Sequence, residues 1–301
     1  MECTFELSFS GRLTDDNLIQ FYDVSHALWG LERSISLTTH LLLNGEVITQ
    51  SPSAKGFYLL VPPAEPGSWK WKTVLALGST VGAFGLAPPD TMFGWLAKSA
   101  VEYVVEETLG FAPNFDETLG KQIEKYRESE IKTPVAKDLS QSRFDAVIEK
   151  CETGIKNIHR PIAFSESADR AAINWKVGDR NGQFDGYFNA DTFSYLNKTI
   201  TSDDQSKFQG YISSYNSNTY GGRLYLPQEN RTIPFKLSDT AISVSSIRIL
   251  TSSLGDNAVA RRAGQIAGEG DVVLEGFRNE SATGRLKSLF VKDVSVADLL
   301  S

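Results

Sequence analysis

Alternating apolar and polar residues open the chain and predict a β-strand over Thr4–Ser10, since this alternation is typical of a strand with one buried side. Apolar residues then recur at helical spacing over Asn17–Leu43, which predicts a long amphipathic helix. Asp15 or Asp16 supplies its N-cap, and Gly45 ends it in the left-handed conformation. Two further strands are expected next, at Gly56–Val61 and Ser68–Thr73.

A long run without charged residues separates Lys72 from Asp90, and the stretch after it carries only Lys98 and Glu102 as charges. The run is slightly shorter than the roughly 20 apolar residues of a membrane-spanning helix. Glycines four residues apart within it would let helices approach closely in lipid. Three interpretations follow: a buried hairpin of the core, an oligomer interface, or an apolar, Gly-rich helical hairpin over residues 73–105 that acts on a membrane. The residues predicted for the membrane or oligomer role are Gly78, Gly82, Phe84, Gly85 and Trp95.

Charged side chains dominate residues 111–142, where Pro113 and Pro134 punctuate the pattern. This composition predicts a charged helical linker. A short amphipathic helix is expected after it, from Arg143 to Ile158. The predicted division of the chain is an α+β domain over residues 1–110, the linker over residues 111–142, and a binding domain over residues 143–301.

Short β-type segments with glycine-containing turns make up most of the last hundred residues, and one helix, over Asp239–Leu250, interrupts them. Short strands at regular spacing with one inserted helix predict a small, partly closed β-barrel of the OB or SH3-like kind. The predicted strands are Phe208–Ser214, Gly222–Leu226, Thr232–Leu237, Asp271–Phe277 and Leu286–Val291. The fold class predicted for the whole chain is α+β.

The composition is that of a folded protein, because 41% of the residues are hydrophobic and 22% are charged. The net charge of −7 argues against a surface coated in basic residues for duplex DNA, but it is compatible with a local basic groove. Cys3 and Cys151 are too few for a disulfide framework. The N-terminus is acidic and alternating, so no signal peptide is expected. We therefore expect a cytoplasmic protein, or one that is associated with the inner membrane on activation.

Motifs for enzymatic chemistry are missing from the sequence. It contains no HExxH, GxSxG, phosphate-loop or dinucleotide-binding pattern, so no metal and no cofactor are expected. His26 and His40 fall on the predicted helix about 21 Å apart, too far to share a metal, and structural roles are expected for both. Asp185 and Asp191 lie among aromatic residues, but their spacing fits turns as well as an acidic pair. The chain is predicted not to be an enzyme, with an unrecognised hydrolase as the minor alternative.

Aromatic and basic residues interleave in the C-terminal strands, a pattern typical of surfaces that bind single-stranded nucleic acid. The residues predicted to contact such a ligand are Tyr211, Arg223, Tyr225, Arg231 and Lys236. The same aromatic set includes Tyr215, Tyr220 and Phe235. Alternatively, half of these aromatic residues belong to the core, and the region serves as a scaffold or a protein contact.

Several segments resemble a bacterial family of unknown function that has two parts. They are the opening strand Thr4–Gly11, the helical segment Leu28–Ser34, the strand pair at Lys55–Phe57 and Pro66–Ser68, and the stretches Gly222–Tyr225 and Ile233–Phe235. The resemblance covers most of the chain, and none of these segments is diagnostic of a reaction.

A Gly-rich apolar hairpin joined to a nucleic-acid-type barrel is also similar to the membrane effectors of bacterial antiphage systems, the Hailong system in particular. That resemblance implies an oligomeric protein that disrupts membranes. It also implies that a single-stranded oligonucleotide, made by a nucleotidyltransferase-like partner, holds the protein silent. Pro88, Pro89 and Asp90 depart from the pattern of a single membrane-spanning helix.

Two functional hypotheses result. The principal one is a non-enzymatic antiphage-defence effector that disrupts the membrane as a homo-oligomer and is regulated by oligonucleotide or partner binding at its C-terminal barrel. The rival is a soluble scaffold or adaptor that forms an oligomer with a protein partner and binds no nucleotide.

Overall fold

The structure of the protein, a computed structural model, divides into two compact units, Met1–Leu196 and Asn197–Ser301. It describes residues 3–63, 69–78, 86–87, 90–111, 113–130, 133–227, 231–262, 271–280 and 286–297. Each unit has its own sheet and its own hydrophobic core. The chain is therefore a mixed α+β protein with two sheets, as predicted.

The first unit is built on one antiparallel sheet. Its strands are β1 (Cys3–Ser10), β2 (Phe57–Leu60), β3 (Lys70–Gly78), β4 (Leu86–Ala87), β5 (Arg170–Val177) and β6 (Arg180–Phe188). They pair in the order β2-β3-β1-β5-β6, and the short β4 also pairs with β3. Phe5, Leu7 and Phe9 of the central strand β1 are almost fully buried, which confirms the strand predicted from their alternation.

Helices of the first unit share a core with this sheet. They are α1 (Phe21–Asn44), α2 (Thr91–Leu109), α3 (Lys121–Glu128), α4 (Gln141–Ile158), α5 (Arg160–Ala163) and α6 (Ala190–Asn197), the last of which ends at the boundary of the unit. α1 contacts both α2 and α4. α1 begins later than predicted, because a 3-10 turn over Arg12–Asp16 precedes it. Its N-cap is Gln20, whose side chain accepts the Asp23 N–H at 2.8 Å, and not Asp15 or Asp16.

The prediction of a helical hairpin over residues 73–105 is wrong, because residues 73–78 belong to strand β3 and residues 86–87 form β4. Only residues 91–105 of the segment are helical, as part of α2. An uncharged run suits a strand with neighbours on both sides as well as it suits a lipid-facing helix. Gly78 ends β3 and pairs with Leu86 of β4. Gly82, Phe84 and Gly85 lie outside the described residues. In the part of the chain that the structure describes, no helix combines the length and the apolar character needed to cross a membrane.

The segment predicted as a charged linker, residues 111–142, belongs in large part to the folded core of the first unit. Its helix α3 buries Ile123 and Tyr126 in that core, while its charged residues face outward. A high density of charge is compatible with a packed helix as long as one face stays apolar. α4 packs along α1, so it belongs to the first unit too. The boundary between the units therefore lies after Leu196, which differs from the predicted limits at residues 110 and 142.

The second unit is built on five strands and one helix among the described residues. The strands are β7 (Ile200–Asn216), β8 (Gly221–Leu226), β9 (Arg231–Leu237), β10 (Val272–Glu280) and β11 (Leu286–Val296), and α7 (Val244–Arg262) lies between β9 and β10 in sequence. The five strands pair in the order β7-β8-β9-β11-β10, and β10 pairs back to β7, so the sheet closes on itself. Each of these pairs is antiparallel except β9 with β11, which is parallel. All five predicted strands are present, whereas the predicted helix starts and stops too early.

Candidate ligand-binding face

Strands β8 and β9 carry three basic residues and no acidic one. The other strands of the second unit and helix α7 each contain at least one Asp or Glu. The three basic residues are Arg223 on β8 and Arg231 and Lys236 on β9, all of which the sequence singled out as ligand contacts. A strand pair that carries only one sign of charge attracts ligands of the opposite sign, so this pair is a candidate site for an anion.

Alternation along β8 and β9 directs one set of side chains into the core and the other set outward. The inward set, all buried, is Leu224, Leu226, Ile233, Phe235 and Leu237. The outward set is Arg223, Tyr225, Thr232, Pro234 and Lys236. We refer to this outward set as the β8–β9 face. It combines an aromatic ring, two basic groups and a hydroxyl group on neighbouring strands.

Tyr211 of β7 lies opposite Tyr225 and extends the β8–β9 face onto a third strand. The two rings are stacked, with centroids 6.4 Å apart and planes inclined by 28°. Tyr211 is only 8% exposed, whereas Tyr225 is half-buried. Tyr225 therefore has the more accessible of the two rings, and Tyr211 supports it from the side.

The guanidinium group of Arg223 is held within the β8–β9 face. Only 5% of this residue is exposed, and its Nη1 donates to Thr232 Oγ1 at 3.2 Å. Lys236, by contrast, is exposed and lies beside Gly221 in the strand register. The side chain of Arg231 lies outside the described part of the chain. Arg223 thus provides a fixed positive charge inside the face, and Lys236 provides an exposed one at its end.

Two residues of α7 that hold β7 in place were not found from the sequence. The pairing of β7 with β8 is irregular after Ile212, the residue that follows Tyr211. The Ile212 N–H donates to Ser253 Oγ at 3.1 Å, and Asn257 Nδ2 donates to the Ile212 carbonyl at 3.2 Å. Ser253 Oγ in turn donates to Asp271 Oδ1 at 2.6 Å. The spacing of Ser253 and Asn257, one helical turn apart, was the available signal, because it places both on one face of a helix.

Three aromatic residues that the sequence grouped with the ligand contacts pack into the core instead. Phe235 is 4% exposed, and Tyr215 and Tyr220 pack against the same core. Gly222, the register partner of Tyr215, has no room for a side chain: a Cβ there would lie 2.3 Å from the Ser214 carbonyl oxygen and 2.8 Å from Phe235 Cζ. For these three residues the alternative interpretation, that they belong to the core, is confirmed.

A second cluster of charged side chains lies between α2 and β6 in the first unit. Glu106 of α2 is buried, and its Oε1 accepts the Gly186 N–H at 3.2 Å. Burial, reinforced by the charge of Glu102, raises the pKa of Glu106 to about 7. Asp185 adds a smaller effect in the same direction, whereas Asp191 lies on α6. A carboxyl group with a near-neutral pKa is found at catalytic sites and in buried structural networks alike.

Lys98 occupies the centre of this cluster. It forms an ion pair with Glu102, and its Nζ lies 4.8 Å from the centre of the Trp175 ring. Trp95, which was predicted to serve a membrane or oligomer surface, is half-buried and packs edge-to-face on Trp175 with ring centroids 5.2 Å apart. Within the described ranges, no group of three or more His, Cys, Asp or Glu residues is placed to hold a metal ion. The arrangement is that of a packed ion pair within the fold.

Buried histidines make hydrogen bonds within the fold. The Nδ1 of the fully buried His159 donates to the Ile155 carbonyl at 3.0 Å, and its Nε2 lies 2.9 Å from Thr192 Oγ1. Burial lowers the pKa of His159 to about 4, so this residue is neutral at physiological pH. His40 Nδ1 accepts the Lys55 N–H at 3.0 Å, which is a structural role of the kind expected for this residue.

Comparison with known proteins matches each unit to a family model. Residues 204–295 match a model described as Family of unknown function (DUF7947). No curated protein and no solved structure shows significant similarity to the chain. Residues 5–197, which are more than half of the chain and nearly all of the first unit, match a second model. The chain therefore belongs to the family described as Domain of unknown function (DUF7946).

Proposed function

We propose that the second unit is a β-barrel of the OB kind that binds a single-stranded oligonucleotide on the β8–β9 face. Its strand order supports the proposal. If the strands are numbered 1 to 5 from β7 to β11, they pair in the order 1-2-3-5-4, and strand 4 pairs back to strand 1. Strands 3 and 5 are parallel, and helix α7 lies between strands 3 and 4 in sequence. OB folds are five-stranded Greek-key barrels that bind oligonucleotides on the face of their second and third strands, which here are β8 and β9.

The distribution of charge favours the same face. The second unit has 12 Lys and Arg residues against 11 Asp and Glu, whereas the first has 18 against 26. The observation that carries the proposal is that β8 and β9 hold three of these 12 basic residues and no acidic one. Phosphate groups are therefore attracted to these two strands rather than to the unit as a whole.

Each residue of the face has a distinct task in this proposal. Tyr225 stacks on a base, and its neighbour Tyr211 keeps the ring in place. Arg223 and Lys236 contact phosphates. The guanidinium group of Arg223 is already held in place within the face, whereas the side chain of Lys236 is exposed. Stacking on an aromatic residue contributes on the order of 1–3 kcal/mol per base and tolerates any sequence. Binding of this kind requires no catalytic residue, metal or cofactor.

Fluorescence anisotropy of a labelled single-stranded oligodeoxynucleotide tests the proposal on the full chain. Tyr225→Ala should weaken binding about tenfold or more, since a stacked base is lost. Lys236→Ala should weaken binding and reduce its salt dependence, because one phosphate contact is lost. Lys207→Ala is the matched control, since Lys207 is exposed on β7 and pairs with Glu275 of β10. No binding by the wild type at low salt, or equal losses for the two lysine variants, would exclude the β8–β9 face.

A scaffold is the second candidate, and the burial of Tyr211 and Arg223, which are 8% and 5% exposed, favours it. Buried side chains leave less of the face open to a nucleotide. In this case the chain forms an oligomer with a protein partner and the aromatic stack is structural. Tyr225→Ala would then lower the stability of the second unit while the wild type shows no oligonucleotide binding.

For the whole protein, we propose a non-enzymatic effector of antiphage defence that acts on the inner membrane as a homo-oligomer. Release of a single-stranded oligonucleotide, made by a nucleotidyltransferase-like partner, from the β8–β9 face would activate it. The resemblance drawn from the sequence supports this proposal. Dye release from anionic liposomes provides the test. Leakage that oligonucleotides suppress supports the effector, and the absence of leakage under both conditions favours the scaffold.

A further inference from the structure

Large apolar side chains are exposed together at the N-terminal end of α1. Phe21, the first residue of α1, is 82% exposed, and Tyr22 is 56% exposed. Leu13 and Leu18 precede them, also exposed, and the Leu18 N–H donates to the Leu13 carbonyl at 3.0 Å. Phe164 joins them from the end of α5. We refer to these five residues as the apolar patch; contiguous exposed patches of this kind mark interaction sites in soluble proteins.

Arg160 joins the two halves of the apolar patch into one surface. Its guanidinium carbon lies 5.2 Å from the centre of the Tyr22 ring and 4.7 Å from the centre of the Phe164 ring. Asp23, which is buried, accepts a hydrogen bond from Arg160 Nε at 2.9 Å. Because this internal carboxylate neutralises the guanidinium group, the patch presents aromatic rings and no net positive charge.

The backbone around the apolar patch is strained. Among the described residues, four non-glycine residues have a positive φ, and three of them, Arg12, Asn17 and Glu166, border the patch. Arg12 Nη1 and Glu166 Oε2 form an ion pair at 2.7 Å, and the Thr14 N–H donates to the Ser167 carbonyl at 3.2 Å. These contacts fasten the turn before α1 to the segment after α5. Strained backbone of this kind persists where surrounding contacts enforce it, which happens most often at binding sites.

The rim of the apolar patch is acidic. It carries the carboxylates of Asp15, Asp16, Glu166 and Asp169 and the guanidinium groups of Arg12 and Arg170. Four negative charges against two positive ones leave the rim negative at neutral pH. An anionic lipid surface is repelled by such a rim. A protein segment in which basic residues flank apolar ones is attracted to it.

We propose that the apolar patch is the docking site for a basic, amphipathic segment of a partner protein. The apolar side chains of that segment cover Phe21, Tyr22 and Phe164, and its Lys or Arg residues face Asp16 and the neighbouring carboxylates of the rim. This interaction lies wholly within the first unit. It holds whether or not the second unit binds an oligonucleotide.

A pair of synthetic peptides tests this proposal on the full chain. The first is a fluorescein-labelled amphipathic peptide of Leu and Lys, and the second has Glu in place of every Lys. We expect the basic peptide to bind at low salt, with at least fivefold weaker binding to Phe21→Ser, Phe164→Ser and Asp16→Lys. All three substituted residues are exposed, so the fold should tolerate the changes. Val61→Ser is the matched control, because Val61 is an apolar residue of the same unit with 52% exposure outside the patch.

Other outcomes would overturn the proposal. Equal affinity for the acidic peptide, or affinities of the three patch variants equal to that of Val61→Ser, would show that the patch does not select a basic segment. A dimer seen by sedimentation velocity in the wild type and lost in Phe21→Ser would assign the patch to a second copy of the chain. Wild-type binding to phosphatidylglycerol vesicles that is lost in Phe21→Ser would assign it to a membrane.

Discussion

Gly30 of α1 and Gly154 of α4 meet backbone to backbone where the two helices pack together. A Cβ on Gly30 would lie 2.1 Å from the carbonyl oxygen of Gly154, and a Cβ on Gly154 would lie 3.2 Å from the carbonyl oxygen of Gly30. Both glycines therefore serve a close helix–helix contact inside the first unit. Gly78, which the sequence suggested for such a contact, ends a strand instead.

Gly30→Ala should lower the free energy of unfolding of the first unit by about 1–3 kcal/mol, because α1 and α4 must move apart to admit the methyl group. Urea denaturation followed by tryptophan fluorescence measures this unit selectively, since all five tryptophans belong to it. Gly255→Ala is the control, because nothing lies within 4 Å of a Cβ at that position of α7. The control should leave the tryptophan transition unchanged. If the midpoint of urea unfolding were the same for Gly30→Ala and the wild type, the two helices would be able to move apart without loss of stability.

The elements that the sequence predicted correctly are those with one dominant periodicity, such as β1, α1 and α4. The run that begins at Thr73 carries no charge, so its pattern did not distinguish a buried strand from an apolar helix. β5 and β6 were missed, since glycines and polar residues weaken the alternation over Arg180–Phe188. No local pattern indicates that Ser8 of β1 lies opposite Ala172 of β5, because that register depends on the whole sheet.

For the candidate ligand-binding face, the sequence predicted which residue types lie there but not which side chains point outward. Tyr211 and Tyr215 are four residues apart, so a regular strand would place both on the same side. The irregularity after Ile212 shifts the alternation: Ser214 lies opposite Arg223, and Tyr215 lies opposite Gly222 and packs against the core. The hydrogen bonds from α7 to Ile212 are tertiary contacts, so strand periodicity alone could not predict which tyrosine faces outward.

Ser253→Ala and Asn257→Ala should each destabilise the second unit by about 1–3 kcal/mol, because each leaves a main-chain group of the buried Ile212 without its partner on α7. Both should also weaken oligonucleotide binding, since Ile212 adjoins Tyr211. Hydrogen exchange at the Ile212 amide and anisotropy with the labelled oligonucleotide measure the two effects. Ser252→Ala is the control, because Ser252 is exposed and its hydroxyl group donates to Asp256 of the same helix at 3.3 Å. Unchanged exchange at Ile212 in Ser253→Ala would contradict the anchoring role of α7.

His159 should make the first unit less stable in mild acid. Its pKa is about 4 in the fold, below the usual value of 6.5, so between these values the unfolded chain binds a proton that the folded one does not. The free energy of unfolding therefore falls by about 3 kcal/mol as the pH drops from 6.5 to 4. His159→Gln keeps polar groups at the site without titrating. The free energy of unfolding of this variant, measured by tryptophan fluorescence in urea, should lose this part of the pH dependence. If its free energy of unfolding changed with pH as steeply as that of the wild type, the effect could not be assigned to His159.

Glu106 should have the opposite effect, because burial raises its pKa from 4.5 to about 7. Between those values the folded chain binds the extra proton, so the free energy of unfolding falls as the pH rises from 4.5 to 7. Glu106→Gln removes this titration and retains an oxygen that can accept the Gly186 N–H. The variant should therefore gain stability over the wild type as the pH rises, by about 1–2 kcal/mol at pH 8 once partial screening by solvent is included. A stability difference that stays constant from pH 4.5 to 8 would mean that Glu106 titrates normally. In the wild type the opposing slopes of His159 and Glu106 partly cancel between pH 4.5 and 6.5, so the two single variants reveal contributions that the wild-type curve conceals.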